Sequence, residues 1–379
     1  MNTVQKLFSS IGAFFQIVGI TVVLLLIGHF LLAAALPEPR LTDARAKAPV
    51  YDNFPEREEF WIEQKRAWQL QFEPYYHWRR KPFVGKHTNI DENGIRRTVP
   101  TITSEDAKTI FVLGGSTTWG SGAEDAGTIP SHLQARLGER FRVLNYGESG
   151  YTSTQELNYL MYQLAKGNVP DLVIFYDGVN DGYAGVYSPA IPRDPENLRD
   201  NYAARDAKKA QGYFLKMLLE SNYGQYIKHK TRKRGKAKYA EWDEKISPDI
   251  EAKSQAVLEM YEAHIRQVNA LGKAYGFDAM FVWQPHLFSM TRKHLSPFEE
   301  KVIKRSSEVL VDSQRKLYQM AKSQFANRTL ENIHFFGDLF DDVTEPIYID
   351  WHHMASNGNA IVADAIYQAM QPLLQSNNW

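Results

Sequence analysis

The sequence predicts an α/β protein built on a parallel sheet with helices on both faces. Three observations carry that prediction. Apolar strand-like runs alternate with helix-periodic segments through most of the chain. Two of the runs, PDLVIFYDG (170–178) and FDAMFVWQP (277–285), are almost continuously apolar, as short buried strands are. The runs close on glycine and polar residues, as strands do at the carboxyl edge of an open sheet, where ligands bind.

Size and composition allow such a fold. With 379 residues and 44% hydrophobic content, the chain can bury one large core or two modest ones. Lys plus Arg equals Asp plus Glu at 44 each, so the charge balance gives no reason to expect nucleic acid as a partner. The absence of cysteine excludes disulfides, thiolate metal sites and a cysteine nucleophile.

From the N-terminus, Ile11 to Leu36 is free of formal charge and interrupted only by Gln16, Thr21 and His29. At about 1.5 Å per residue this run exceeds the roughly 30 Å hydrocarbon core, which predicts a transmembrane anchor over 1–36. It also exceeds the roughly 7–15-residue apolar stretch of a cleaved leader; the alternative is a signal peptide cut near Ala33 to Ala35. Basic residues flank both sides, Lys6 on one and Arg40, Arg45 and Lys47 on the other, so charge alone slightly favours a cytoplasmic domain. Residues 37–71, charged and proline-containing, read as a tether, and the main domain is expected over 72–379.

Within 72–98, the turn signal Asp91, Glu92, Asn93, Gly94 separates short extended pieces and predicts an edge hairpin or lead-in. TIFVLGG (109–115), FRVLNYG (141–147), 170–178 and 277–285 are the expected strands. IPSHLQARLGERF (129–141), TQELNYLMYQLAKG (154–167) and NGNAIVADAIYQAM (357–370) are the expected helices. An insertion at about 183–250 breaks the pattern. Its run KHKTRKRGKAK (228–238) is either a solvated surface or a contact for anionic headgroups or an acidic polymer, worth about 1 kcal/mol per basic residue near a charged membrane.

The chemistry collects at strand ends. The first strand runs into Gly114, Gly115 and Ser116; the second into ESGYTS with Gly150; the third into Gly178, Val179, Asn180 and Asp181. Before the last helix stands YIDWHHMASNG with Asp350, His352 and His353. A hydroxyl nucleophile needs a base to take its proton and a carboxylate to orient that base, and Ser116, His353 and Asp350 supply the three roles. Acyl transfer also needs donors aimed at the developing oxyanion; the backbone N–H groups of Ser116 and Gly150 and the Asn180 amide are the candidates. Glycines before Ser116 would let the strand turn sharply and present the hydroxyl.

Each residue also has a plainer reading: Ser116 as a helix cap, Gly150 as a turn glycine, Asn180 and especially Asp181 as turn residues. Gln284, ending a strand on the same edge, reads equally as a substrate contact or a buried structural glutamine. His286, His294 and His334 lack metal-ligand spacing, and no metal or cofactor is expected. The loop after the first strand has neither Gly-x-Gly-x-x-Gly nor a Gly-Lys-Ser/Thr ending, which excludes the common nucleotide sites.

These blocks resemble the SGNH hydrolases, also called GDSL-type esterases or lipases, over roughly residues 72–375. Gly114-Gly115-Ser116 is similar to the family's Gly-Asp-Ser block, with glycine in place of the commonest Asp. Gly150, Gly178-x-Asn180-Asp181, and Asp350-x-x-His353 followed by Gly358 match the remaining blocks in order. The spacing favours His353 over His352 as the base. The resemblance implies a flavodoxin-like α/β/α fold and metal-free ester hydrolysis or acyl transfer. The expected function is a serine esterase on a short-chain ester, with an O-acetylated glycan preferred. A lipase or lysophospholipase, a glycan O-acyltransferase and a non-catalytic glycan-binding scaffold are the alternatives. A single-pass protein of the bacterial inner membrane, catalytic domain in the periplasm, is the expected localisation.

Overall fold

The structure, a computed structural model, describes residues 3–35, 43–187, 249–289, 295–377 and 379. The basic run 228–238, nearly all of the expected insertion and His294 lie outside the described residues. The chain divides into two units, Met1–Leu41 with Asp194–Tyr239, and Thr42–Arg193 with Ala240–Trp379.

The first unit is described through one helix, α1 (Thr3–Ala35). Its stretch Gly12–Leu31 is long and apolar enough to cross a membrane, and Phe14, Phe15, Leu24 and Leu25 are exposed around it. A membrane span and a signal sequence share this length and composition.

In the second unit five strands carry the fold: β5 (Lys108–Gly114), β6 (Phe141–Asn145), β7 (Leu172–Asp177), β8 (Asp278–Trp283) and β9 (Ile333–Phe335), after four short strands β1 (Leu70–Glu73), β2 (His77–Arg80), β3 (Phe83–Val84) and β4 (Asn89–Ile90). The five pair in parallel in the order β6-β5-β7-β8-β9. That is the flavodoxin-like order, and its switch point, where ligands bind outside the carboxyl ends, falls between β5 and its neighbours β6 and β7.

Side-chain alternation along the strands sorts the core into two layers. Phe111, Leu113, Val173, Phe175, Phe281 and Trp283 face one way. There they meet α5 (Ser153–Ala165) through Leu157 and Leu160, α7 (Ile250–Tyr275) through Leu258, Tyr261 and Ile265, and α9 (Glu308–Phe325) through Leu317 and Phe325. Ile110, Val112, Ile174, Met280 and Val282 face the other way. They pack on α4 (Ile129–Leu137) through Ile129 and Leu133 and on α10 (Ser356–Ala369) through Val362 and Ile366. The result is the expected α/β/α sandwich. Local rules fix its helix starts: Thr128 caps α4 ahead of Pro130, and a capping box of Thr152 and Gln155 opens α5.

The reading of 37–71 as a tether does not hold from Asp43 onward. A 3-10 turn at Ala44–Lys47, a second at Pro49–Tyr51 and the helix α2 (Arg57–Arg66) bury Ala46, Ala48, Tyr51, Phe60 and Trp61 in one cluster with Ile349 and Ala355. Charge conceals this packing in the sequence, because the apolar residues are few and spread over three short elements. The hairpin expected in 72–98 is two: β1 pairs with β2 and β3 with β4, and the Asp91–Gly94 turn follows β4 with Gly94 at φ +75°.

Candidate active site

The turn that carries Ser116 begins at the end of β5. Gly114 has φ +155°, and a Cβ there would overlap the Thr118 hydroxyl and lie 2.9 Å from the Tyr176 carbonyl oxygen on β7. At Gly115 a Cβ would overlap the Asn180 amide. Both glycines are therefore required by close approach. Ser116 follows at once, 7% exposed, as the first residue of the single turn α3 (Ser116–Trp119).

His353 arrives from the loop before α10. Tyr348 and Met354 form an antiparallel bridge, and the Ile349 N–H donates to the His353 carbonyl at 2.9 Å, closing a tight turn around Asp350. Asp350 Oδ1 accepts the backbone N–H groups of His352 at 3.0 Å and His353 at 2.8 Å. Oδ2 accepts His353 Nδ1 at 2.7 Å, and His353 Nε2 lies 2.7 Å from Ser116 Oγ. With Nδ1–H directed at the carboxylate, the Nε2 lone pair faces the serine proton. Both ring nitrogens are engaged, so although Asp350, His352 and His353 bring ligand atoms within 4.8 Å of one another, His353 offers no lone pair to a metal in this arrangement.

Electrostatics follow from these contacts. Burial pushes the Asp350 carboxyl up, but His353, His352 and Arg45 together hold it well below its ordinary value. Arg45 Nη1 reaches Oδ2 at 3.3 Å. His352 goes the other way from its neighbour's carboxylate: burial and His353 push its pKa well down, so it is a neutral ring packed between Trp351 and His353. His286, fully buried, is lowered to about 3 by burial and Arg315, and its Nδ1 accepts from the Phe288 and Ser289 N–H groups.

The three expected oxyanion donors stand on the turns that follow β5, β6 and β7. The Ser116 N–H, at the first position of a helical turn, has no intrahelical acceptor. Gly150 has φ +79° on the loop after β6. Asn180, in the turn α6 (Val179–Gly182) behind Gly178 at φ +117°, donates one amide proton to the Tyr151 carbonyl at 2.7 Å while its amide packs on Gly115. A carboxamide has two protons, so one remains to serve the pocket. Asp181 accepts from Ser153 Oγ at 2.5 Å and from the Ser153 N–H at 3.2 Å, the structural role expected of it.

Gln284 takes the second of its two readings. It is 2% exposed, its Oε1 accepts from the Thr117 hydroxyl at 2.8 Å, and its carbonyl accepts from Tyr318 at 2.8 Å. It braces Thr117, the residue after Ser116, rather than lining an open cleft.

Sequence reasoning passed over the supports. Arg80 and Glu148, both fully buried, pair at 3.1 Å, and Arg80 also holds Ser149 Oγ at 2.5 Å and stacks on Trp119, which ties the Gly150 loop to β2. In the sequence Arg45 stands only as a charge flanking the apolar run. No periodicity or spacing marks either arginine, because their partners are 68 and 305 residues away.

Residues 112–297 match the model of the GDSL-like Lipase/Acylhydrolase family. The chain carries a GDSL-type acylhydrolase domain. The matched span contains Ser116, Gly150 and Asn180, and ends before Asp350 and His353. Among solved structures, the chain is similar to a carbohydrate acetylesterase family member from Sinorhizobium meliloti at 15% identity and TM-score 0.37, covering 71% of this chain and 98% of that one. It is also similar to an acetyl xylan esterase at 13% identity and TM-score 0.31, covering 69% and 98%. No curated protein matches it. By its acylhydrolase domain the protein is a hydrolase.

Proposed function

We propose that this acylhydrolase is a serine esterase that cleaves a short-chain ester, an O-acetylated glycan by preference, through an acyl-Ser116 intermediate. The observation that carries the reading is the relay Ser116 Oγ to His353 Nε2 at 2.7 Å and His353 Nδ1 to Asp350 Oδ2 at 2.7 Å. His353 takes the Ser116 proton as Oγ attacks the ester carbon, and the tetrahedral oxyanion is met by the N–H groups of Ser116 and Gly150 and the free Asn180 proton. Collapse expels the alcohol, which leaves with the proton from His353. Water, deprotonated by the same ring, then attacks the acyl carbonyl and releases the acid.

A carbohydrate leaving group is supported by the ledge beside Gly150. Trp78 lies 3.6 Å from where a Gly150 Cβ would stand, and across the β1–β2 pair Phe72 is opposite it and 60% exposed. A ring with an apolar face and polar neighbours suits a sugar ring, which has both. A protein held in the bacterial inner membrane by α1, with this unit in the periplasm, would meet such esters.

The test is labelling of detergent-solubilised full-length protein with a fluorophosphonate, wild type beside Ser116→Ala, with hydrolysis of p-nitrophenyl acetate and longer esters run in parallel. Loss of label in the variant and a preference for acetate are expected. Label without hydrolysis would move the reading to acyl transfer, long-chain preference to a lipase, and no label at all would remove the esterase.

A further inference from the structure

The Asp350–His353 pair does not stand alone. The geometry points to Arg45, supplied by the segment just after the N-terminal apolar helix, as a positioning residue that holds Asp350 on the axis of His353. This inference rests on the esterase reading above, because it assigns Arg45 a part in that relay.

One guanidinium bridges two carboxylates. Nε and Nη2 of Arg45 donate to Asp43 at 3.0 and 2.9 Å, while Nη1 reaches Asp350 Oδ2 at 3.3 Å, the same oxygen that accepts His353 Nδ1. The Arg45 backbone N–H also donates to Asp43 Oδ1 at 2.9 Å, and the guanidinium carbon lies 4.4 Å from the centre of the Trp61 ring. Asp43 and Trp61 thus fix the plane of the fork before Asp350 is considered. Lysine, a point charge without a planar fork, cannot make both sets of bonds at once.

Packing aims the segment at the same turn. Ala46, Ala48, Tyr51 and Trp61 share one apolar cluster with Ile349 and Ala355, the residues that flank the stretch from Asp350 to Met354. The Tyr51 hydroxyl donates to the Gly122 carbonyl at 2.6 Å, which ties the segment to the loop after α3 as well. A surface pair would have no such framework and would contribute little.

The titratable and charged groups facing the Asp350–His353 pair are Arg45 and Asp43 from the N-terminal segment, Tyr51 behind them, His352 beside the pair with His286 beyond it, and Ser116 in front. Arg45 is the one permanent cation among them. It shares Oδ2 with His353 Nδ1, so without Arg45 the carboxylate keeps its two backbone N–H groups on Oδ1 but loses the bond that fixes Oδ2 toward the imidazole. Turnover therefore falls.

The experiment uses full-length protein in detergent with p-nitrophenyl acetate. Arg45→Gln should lower kcat by about 10–100-fold with KM near wild type, the scale of a small misplacement of a catalytic group. Arg45→Lys should restore part of the lost kcat. Asp43→Asn, which removes the anchor and keeps every apolar contact, should lower kcat in the same direction by less, again with KM near wild type, and together with Arg45→Lys it carries the test if Arg45→Gln does not fold. Unchanged kcat in folded variants of an active wild type would overturn the role of Arg45 alone. A wild type that neither labels at Ser116 nor hydrolyses the ester would remove the relay, and the inference with it.

Discussion

Two groups of carboxylates lie within one fold and are driven in opposite directions. Asp350, on the turn before α10, is partly exposed, and its oxygens are filled by two backbone N–H groups, an imidazole and a guanidinium. Glu156 of α5 and Asp177 at the end of β7 are both buried and are paired with each other, with the Tyr261 hydroxyl beside Asp177. Burial pushes both acids well up; Asp177 and Asp181 raise Glu156 further, while Asp181 raises Asp177 and its contacts with Glu156 and Tyr261 offset part of that rise. Such a contact is satisfied only when a proton sits between the two carboxyls. The difference teaches that partners, more than depth, decide which carboxylate can orient a base.

The sharpest way to break the comparison is to neutralise one acid from each group. Ser116→Ala sets the floor, with loss of nearly all turnover and of fluorophosphonate label. Asp350→Asn should cost about 10³–10⁴ in kcat on p-nitrophenyl acetate, because the amide holds the wrong tautomer of His353. Asp177→Asn should leave turnover near wild type. If the two asparagine variants lose the same activity, the division between a working carboxylate and a structural pair is wrong.

Gly115→Ala probes the boundary between the two groups, where the loop after β7 meets the turn that carries Ser116. The new methyl displaces the Asn180 amide without touching Asp350. Loss of one oxyanion donor should lower kcat by about 10²–10³-fold with label at Ser116 retained, read from steady-state kinetics beside probe labelling.

Stability against pH should carry opposite signs for the two groups. The pair's native pKa values are raised, so its contribution is fully present below the ordinary carboxylate range and is lost as pH rises toward the native values. Asp350 is lowered, so its contribution is present above its ordinary value and is lost as pH falls through the native one. Glu156→Gln should therefore raise Tm relative to wild type by about 2–4 °C at pH 8 and by less at pH 5, as followed by circular dichroism. An equal change at both pH values would mean that the pair carries no shared proton. The smallest expected effect is His352→Ala, which should keep most turnover where His353→Ala loses nearly all, since His352 makes no contact with Ser116 Oγ among the described residues.

Much of this site was legible because its parts are local. The glycines before Ser116, the Asp350-x-x-His353 spacing and the apolar strands β5, β7 and β8 are short-range patterns that sterics and hydrogen bonding impose on a few consecutive residues. What escaped is non-local. Arg45 and Arg80 owe their roles to partners far along the chain, and Gln284 could be resolved only by seeing Thr117 against it. Strand β9 is three residues long, too short for a period of two to register, and α7 begins where the insertion was expected to end.

The buried cluster around Tyr51 and Trp61 has a practical consequence for where the chain can be cut. An enzyme shortened to residue 72, the boundary that charge and proline content suggest, would discard Arg45 together with the apolar residues that seat it, and should lose at least the roughly 10–100-fold in kcat that Arg45 supplies, however well its sheet folds. Cleavage near Ala33 to Ala35 would spare all of them. Loss of the apolar helix and loss of Arg45 are therefore separable events along this N-terminus.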